Sequence, residues 1–350
     1  MSKYIQLHLL TSYPPSNLNR DDLGRPKTAV MGGKTRLRIS SQSLKRAWRT
    51  SPIFFEALKG HIGERTKMMG VEAYKDLVKR GVSEVKAKEW AAKIAGVFGA
   101  CKATNKDKPL QELEIEQLAH FSPEEKKSIF DLTERLSRNN TPPTEKDLDL
   151  LAKNHTAVDI AMFGRMLAAA PAYNKEGAVQ VAHAVTVHGV AVEDDYFTAV
   201  DDLNNGEEDQ GAGHLGETEF AAGVFYLYVC IDRYLLKDNL ADDQLADRTI
   251  AALIEASAKI APTGKQNAFA SRAYASYILA EKGDQQPRSL SIAFLKPVRG
   301  DDVMSVAISE LNAKREAIER SYGPCASGFK TMNAVTGEGS LSDIISFVQE

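Results

Sequence analysis

Apolar residues alternating with polar ones, the pattern of a strand with one buried face, recur at widely separated points of this chain. They are Ile5, Leu7 and Leu9, then Leu37 and Ile39 between Arg36 and Arg38, then Val158, Ile160 and Met162. The pattern returns at Val179, Val181, Val185 and Val187, at Phe225, Leu227, Val229 and Ile231, and at Leu290, Ile292 and Phe294. A sheet assembled from such distant segments requires helices inserted between its strands, so the fold class is α+β. The longest insert runs over 64–138, where the pattern turns helical and Ser122-Pro123-Glu124-Glu125 spells a capping box with proline at the first helical position. A turn at 139–143 closes it, and further helices are expected over 242–260 and 302–320. The 350 residues, 43% of them hydrophobic, suffice for one large domain or two ordinary ones.

Charge is segregated along the chain. Residues 20–49 carry nine bases, Arg20, Arg25, Lys27, Lys34, Arg36, Arg38, Lys45, Arg46 and Arg49, against Asp21 and Asp22, which makes +7. Residues 193–219 carry ten acids and no Lys or Arg, within a chain of net charge −3. The modest total conceals a basic stripe that can bind phosphates. Within it a basic loop over 14–34 leads to a short strand and then to a helix capped by Ser40 or Ser41. On that helix Leu44, Ala47 and Trp48 share one side, and Gln42, Lys45, Arg46 and Arg49 the other. An ordinary solvated face with weak ion pairs is the plain alternative. The coincidence of basic loop, strand face and helix face raises phosphate binding above it. Trp48 is the stripe's only aromatic and sits on the apolar side, so contacts would go to phosphate and ribose, which carry no sequence information. The acidic span, with apolar islands at Tyr196-Phe197-Thr198 and His214-Leu215, reads as a protruding hairpin.

Several motifs fail on their context. Gly211-Ala212-Gly213-His214-Leu215-Gly216 spells GxGxxG, but it follows an acidic run and precedes Glu217 and Glu219, which repel pyrophosphate. Gly33-Lys34-Thr35 ends like a phosphate-binding loop, yet Thr28 stands where the leading glycine belongs. No histidine spacing suits a catalytic zinc, and Cys101, Cys230 and Cys325 are too scattered for a disulfide framework or metal knuckle. No cofactor or metal is expected. Asp201 and Asp202 are the one acid pair we retain as a rival site, for Mg²⁺-dependent RNA cleavage. No stretch approaches a membrane span, and a soluble, cytoplasmic protein is expected.

The motifs Leu18-Asn19-Arg20-Asp21-Asp22, Gly32-Gly33-Lys34 and Ile39-Ser40-Ser41-Gln42-Ser43-Leu44-Lys45-Arg46-Ala47 resemble the CasC family, the backbone subunit of the type I-E CRISPR surveillance complex, Cascade. Val158-Asp159-Ile160-Ala161, Gly164-Arg165-Met166, Phe197-Thr198-Ala199-Val200-Asp201-Asp202, His214-Leu215-Gly216 and Gly223-Val224-Phe225-Tyr226 resemble it in the same order. The resemblance is strong over 1–50 and 155–230 and loose elsewhere. It implies a modified RNA-recognition, ferredoxin-like palm over 1–60 and 155–350, a helical finger insertion over 61–154 and a thumb hairpin over 190–220. It further implies a non-enzymatic subunit that polymerises head to tail along CRISPR guide RNA and presents it for pairing with target DNA. Its partners would be copies of itself and the other Cascade subunits: the one capping the guide's 5′ end, the guide-processing endonuclease, the large and small subunits, and a nuclease. Carried over to this sequence, Arg20, Ser40, Gln42, Lys45, Arg46 and Arg49 would hold the guide backbone, with Lys27 and Lys34 of the basic loop beside them. Met166, Phe197, Thr198, His214 and Leu215 would form the thumb and kink wedge. The acids of the hairpin would then face the basic surface of a neighbouring copy.

Overall fold

The computed structural model describes residues 2–199 and 214–350, with backbone alone for His214 and Leu215. In chain order the elements begin with β1 (Tyr4–Ser16), β2 (Thr28–Met31), β3 (Lys34–Ile39), α1 (Ser41–Arg49), α2 (Pro52–Ala57) and β4 (Glu64–Thr66). Next come α3 (Met69–Lys79), α4 (Glu84–Gly96), β5 (Ala119–Phe121), α5 (Pro123–Asn139), α6 (Val158–Phe163), β6 (Val179–Val181) and β7 (Ala184–Thr186). The chain ends with β8 (Glu193–Ala199), β9 (His214–Asp232), α7 (Arg233–Leu240), α8 (Asp243–Lys259), α9 (Gln266–Phe269), β10 (Tyr277–Gly283), α10 (Val303–Tyr322), β11 (Gly328–Asn333) and α11 (Leu341–Gln349). Two compact units result: Met1–Phe54, Gln180–Ile231 and Ala251–Glu350 form the first, Phe55–Val179 and Asp232–Ile250 the second. Among the described residues no helix is long and apolar enough to cross a membrane.

The first unit is an α+β structure on a sheet of order β11-β10-β1-β9-β7-β3-β2, with β8 also paired to β9. The pairs β1–β10, β10–β11, β2–β3, β3–β7, β7–β9 and β8–β9 all run antiparallel. The strand expected to bury one face buries both, since every residue from Ile5 to Leu10 is inaccessible, Gln6 and His8 included. Polar side chains survive there because they are bonded to one another. The Leu290 N–H donates to the Tyr226 oxygen at 3.0 Å, which leaves the phenol O–H for His8 Nδ1 at 2.8 Å. His8 Nε2 in turn meets the Glu281 carboxylate at 3.1 Å, which Arg288 also grips. Leu10, Leu279, Leu290, Phe294 and Leu311 pack with Tyr226 in one apolar cluster.

Two strand expectations are corrected. Residues 158–162 belong to α6, and all five are buried. When every position is covered, apolar residues at alternate positions say nothing about a face. Asp159 tolerates burial because its Oδ1 accepts the Gly63 N–H and its Oδ2 meets His120 Nε2, each at 2.8 Å. Residues 291–294 form a 3₁₀ turn whose Ala293 and Phe294 point inward. The sheet is completed instead by β10 and β11, which no alternating pattern marks in the sequence.

In the second unit α3, α4 and α5 enclose a core that includes Leu77, Trp90, Ile94, Phe121, Ile129 and Leu132. The expected capping box opens α5: Ser122 Oγ accepts the Glu125 N–H at 3.1 Å, and Glu125 Oε2 accepts the Ser122 N–H at 2.9 Å. Asn140, left-handed at φ 49°, ends the helix. The pair β4–β5 interrupts a stretch that read as helical throughout.

The buried His8–Glu281–Arg288 network makes stability depend on pH. Burial alone would raise the Glu281 carboxyl, but hydrogen bonds from His8 and Arg288 bring it down to about 2, while burial lowers the His8 imidazole. Both groups therefore bind more protons unfolded than folded, and both withdraw stability on acidification. For Glu281 the contribution is complete above the ordinary carboxylate value and disappears as pH falls toward about 2. Urea titrations of the wild type should lose about 3 kcal/mol over that window. In Glu281→Gln, less stable at neutral pH, the acid limb should be flatter by that amount.

Candidate nucleic-acid interface

Helix α1 forms where Ser40, in extended conformation, caps it by accepting the Ser43 N–H on Oγ at 3.4 Å. Leu44, Ala47 and Trp48 are buried, which fixes the helix against the first unit and turns Gln42 and Arg46 to solvent. Lys45 and Arg49 are half-buried, and desolvation lowers the Lys45 ammonium from its ordinary value. Arg46 and Arg49 occupy the last turn, where cations also complement the helix dipole. Ser40, placed among the phosphate-holding residues, is itself buried, and its oxygen already serves as the cap. Only its O–H remains to donate outward.

The preceding loop is ordered by its own polar side chains. Asn19 Oδ1 accepts the Ser40 N–H at 2.9 Å, tying the loop to the start of α1. Asp21 Oδ1 accepts the N–H groups of Leu23 and Arg25, each at 2.9 Å, and closes a turn. Arg20 is exposed, Lys27 half-buried and Lys34 exposed, so all three remain at the surface. Gly32 takes φ +60°, and a Cβ there would stand 1.7 Å from the Leu295 carbonyl oxygen, so the β2–β3 turn requires glycine.

Two arginines of the basic stripe are already committed. Arg36 is 0% exposed and donates to the carbonyls of Met31 at 3.3 Å, Thr186 at 2.8 Å and Phe294 at 3.0 Å. Arg25 Nε lies 3.5 Å from Glu219, at the base of the acidic hairpin. One acid of that hairpin thus faces this chain's own basic loop. Arg38, two residues beyond Arg36, instead reaches outward and meets His183 Nδ1 at 2.8 Å. Sequence reasoning passed over His183, because only the β3–β7 register brings it there.

Strand β8 is exposed along its whole length and pairs with β9, placing Phe197 opposite Gly216 and Thr198 opposite Leu215. A Cβ on Gly216 would fall 2.3 Å from the Phe197 ring, so the aromatic lies flat across the glycine. Tyr196 is 66% and Phe197 44% exposed, an unusual display for a two-stranded ribbon. Asp201 and Asp202 lie outside the described residues, as do the side chains of His214 and Leu215. Among the described residues no three His, Cys, Asp or Glu side chains could jointly hold a metal ion.

Met166 belongs to the second unit, and the residue before it holds it out. Arg165 is buried against both oxygens of Glu125, at 2.9 and 2.8 Å, and donates to the carbonyls of His120 and Tyr173, each at 3.2 Å. With Arg165 thus anchored, Met166 projects at 76% exposure. The apolar depression beside it is lined by Phe98, Leu118, Ala119 and Leu167.

The family described as CT1975-like protein matches residues 5–344. The chain belongs to that family. Among solved structures, this CT1975-like protein is similar to a chain of a "CRISPR RNA-guided surveillance complex, pre-nicking", at 32% identity and TM-score 0.85 over 99% of both chains. It is also similar to a chain of a "CRISPR RNA-guided surveillance complex", at 27% identity and TM-score 0.63, covering 99% of this chain and 98% of that one. Comparison with curated proteins returned no match. Membership of a CRISPR-associated family therefore rests on the length of the chain and not on one motif.

The division of labour among the arginines can be tested by stability. Arg36→Met should cost about 3 kcal/mol or more in urea titration, because three buried carbonyls lose their donor. Arg46→Ala, on the exposed side of α1, should change stability by less than about 0.5 kcal/mol. Equal effects would place Arg36 at the surface.

Proposed function

We propose that this protein is the CasC-type backbone subunit of a type I-E CRISPR Cascade and holds guide RNA by its sugar-phosphate backbone. The observation that carries this reading is the end-to-end similarity, at 32% identity, to a chain of an RNA-guided surveillance complex. The geometry is suited to it. Arg20, Gln42, Lys45, Arg46 and Arg49, with Lys27 and Lys34, present donors from a loop, a strand end and a helix face of one unit. Such donors bind phosphate without reading bases, and specificity passes to pairing between guide and target DNA. The β8–β9 ribbon acts as the thumb, with Phe197 and Thr198 as a wedge that unstacks a base step, and Met166 of the second unit is assigned to the same wedging role. Copies of the chain assemble head to tail on the guide, alongside the 5′-capping subunit, the guide-processing endonuclease and the large and small subunits.

The subunit is proposed to have no catalytic role of its own. Expressed with its neighbouring genes, the wild type should co-purify with RNA of one defined length, and Lys45→Ala/Arg49→Ala should lose most of it while folding normally by circular dichroism. Wild-type protein free of RNA would remove the proposal. Labelled RNA incubated with the complex and Mg²⁺ should stay intact; cleavage abolished by Asp201→Ala or Asp202→Ala would replace the backbone role with a nuclease one.

A further inference from the structure

Beside Lys27, two residues with no role assigned above, Arg38 and His183, sit on the face of the β2–β3–β7 sheet. The Arg38 N–H donates to the Lys27 carbonyl at 2.8 Å, continuing the β2–β3 register in which Thr28 stands opposite Leu37. Lys27 is therefore the cross-strand neighbour of Arg38, two cations side by side, an arrangement unfavourable in a sheet. On the other flank Arg38 pairs with Val185 of β7, and His183, two residues before Val185, shares that face. Arg38 Nη1 donates to His183 Nδ1 at 2.8 Å. Since Nδ1 accepts, the ring proton resides on Nε2, which points a further donor away from Arg38.

Among the described residues no carboxylate pairs with Lys27 or Arg38. Burial lowers the His183 imidazole from its ordinary value, and the charges of Arg38 and Lys27 lower it further. Lys27 has no ion pair or side-chain hydrogen bond among the described residues, and Arg38 has only His183 and a 3.5 Å contact to the Thr28 carbonyl. Arg36, on the same strand face, shows the contrast: its donors are spent on carbonyls, and it is inaccessible. Arg38 and Lys27 are half-buried and His183 is exposed, so their donors can be reached from solvent.

We propose that Lys27, Arg38 and His183 form one phosphate-binding trio, with Arg38 and His183 as additional ligands for the phosphodiester backbone of the guide RNA. This rests on the reading of the protein as a guide-RNA holder. A phosphate group offers acceptor oxygens to an ammonium, a guanidinium edge and an imidazole N–H, and it supplies the negative charge that the cross-strand pair lacks. Arg38 both binds and fixes the tautomer that lets His183 bind.

The test is fluorescence anisotropy of a labelled oligouridylate with the full chain across a KCl series, and an oligothymidylate of equal length alongside. His183→Ala should weaken RNA binding about 3-fold and Arg38→Ala about 10-fold. Arg38→Ala should also make the logarithmic salt dependence shallower by about 0.7 for each phosphate no longer neutralised. His183→Gln, which keeps an N–H near the Nε2 position, should recover much of the affinity. His183 is exposed, so its variants test the trio even where Arg38→Ala perturbs the sheet. Wild-type affinity and slope in these variants, in a protein that Lys45→Ala weakens, would overturn the trio and leave the functional reading standing. Weakening on the DNA probe alone would overturn the assignment to guide RNA. A wild-type chain that binds neither probe would overturn both the trio and the reading on which it rests.

Discussion

The buried Arg36 guanidinium is the tie on which the rest of the basic surface depends. It gathers carbonyls from the end of β2, from β7 and from the 3₁₀ turn at Ser291–Phe294, segments far apart in sequence. A fully buried cation is tolerable only when its donors are taken up, and carbonyl dipoles from three segments do this without a carboxylate. Because Arg36 fixes β3 between β2 and β7, Lys34 and Arg38 on either side of it have defined positions. The Ser40 cap that follows then sets the direction of α1. The same tie explains why the β2–β3 turn is so tight against Leu295 that only glycine fits at position 32.

How much of this could be read beforehand depends on whether the information is local. The α1 helix, its apolar side and its cap follow from ten consecutive residues, Ser40 to Arg49, and the capping box of α5 from four; both stand as expected. The α+β class followed from the separation of the strand patterns. Two of the failures share one cause, burial on all sides, which erases periodicity. The α6 segment reads V-D-I-A-M-F and β10 reads Y-I-L-A-E-K-G, and all but one or two residues of each are covered. One looked like a strand and is a helix; the other gave no signal and is a strand paired on both sides, with β1 and β11.

The candidate interface divides the same way. Basic residues of α1 were recoverable from helical spacing alone. Arg36 and Arg38 are indistinguishable as sequence, both basic, both followed by an apolar residue. Only the strand register makes one an internal tie and turns the other toward His183. Ser40 and Asn19 similarly appear as members of a surface motif, but their oxygens are spent positioning the backbone of α1. Around Met166 the conspicuous Gly164-Arg165-Met166 motif combines a buried anchor and an exposed side chain in adjacent positions, a distinction that only the Arg165–Glu125 contact reveals.

The ribbon has a further consequence. Every residue of β8 is exposed, and among the described residues the strand pairs on one side only, with β9. An unpartnered strand edge is a template on which other chains can anneal. Glu193, Asp194 and Asp195 at its start, with Glu217 and Glu219 across from it, make each ribbon repel another of its kind. These carboxylates guard the exposed edge against annealing with a second ribbon of the same charge.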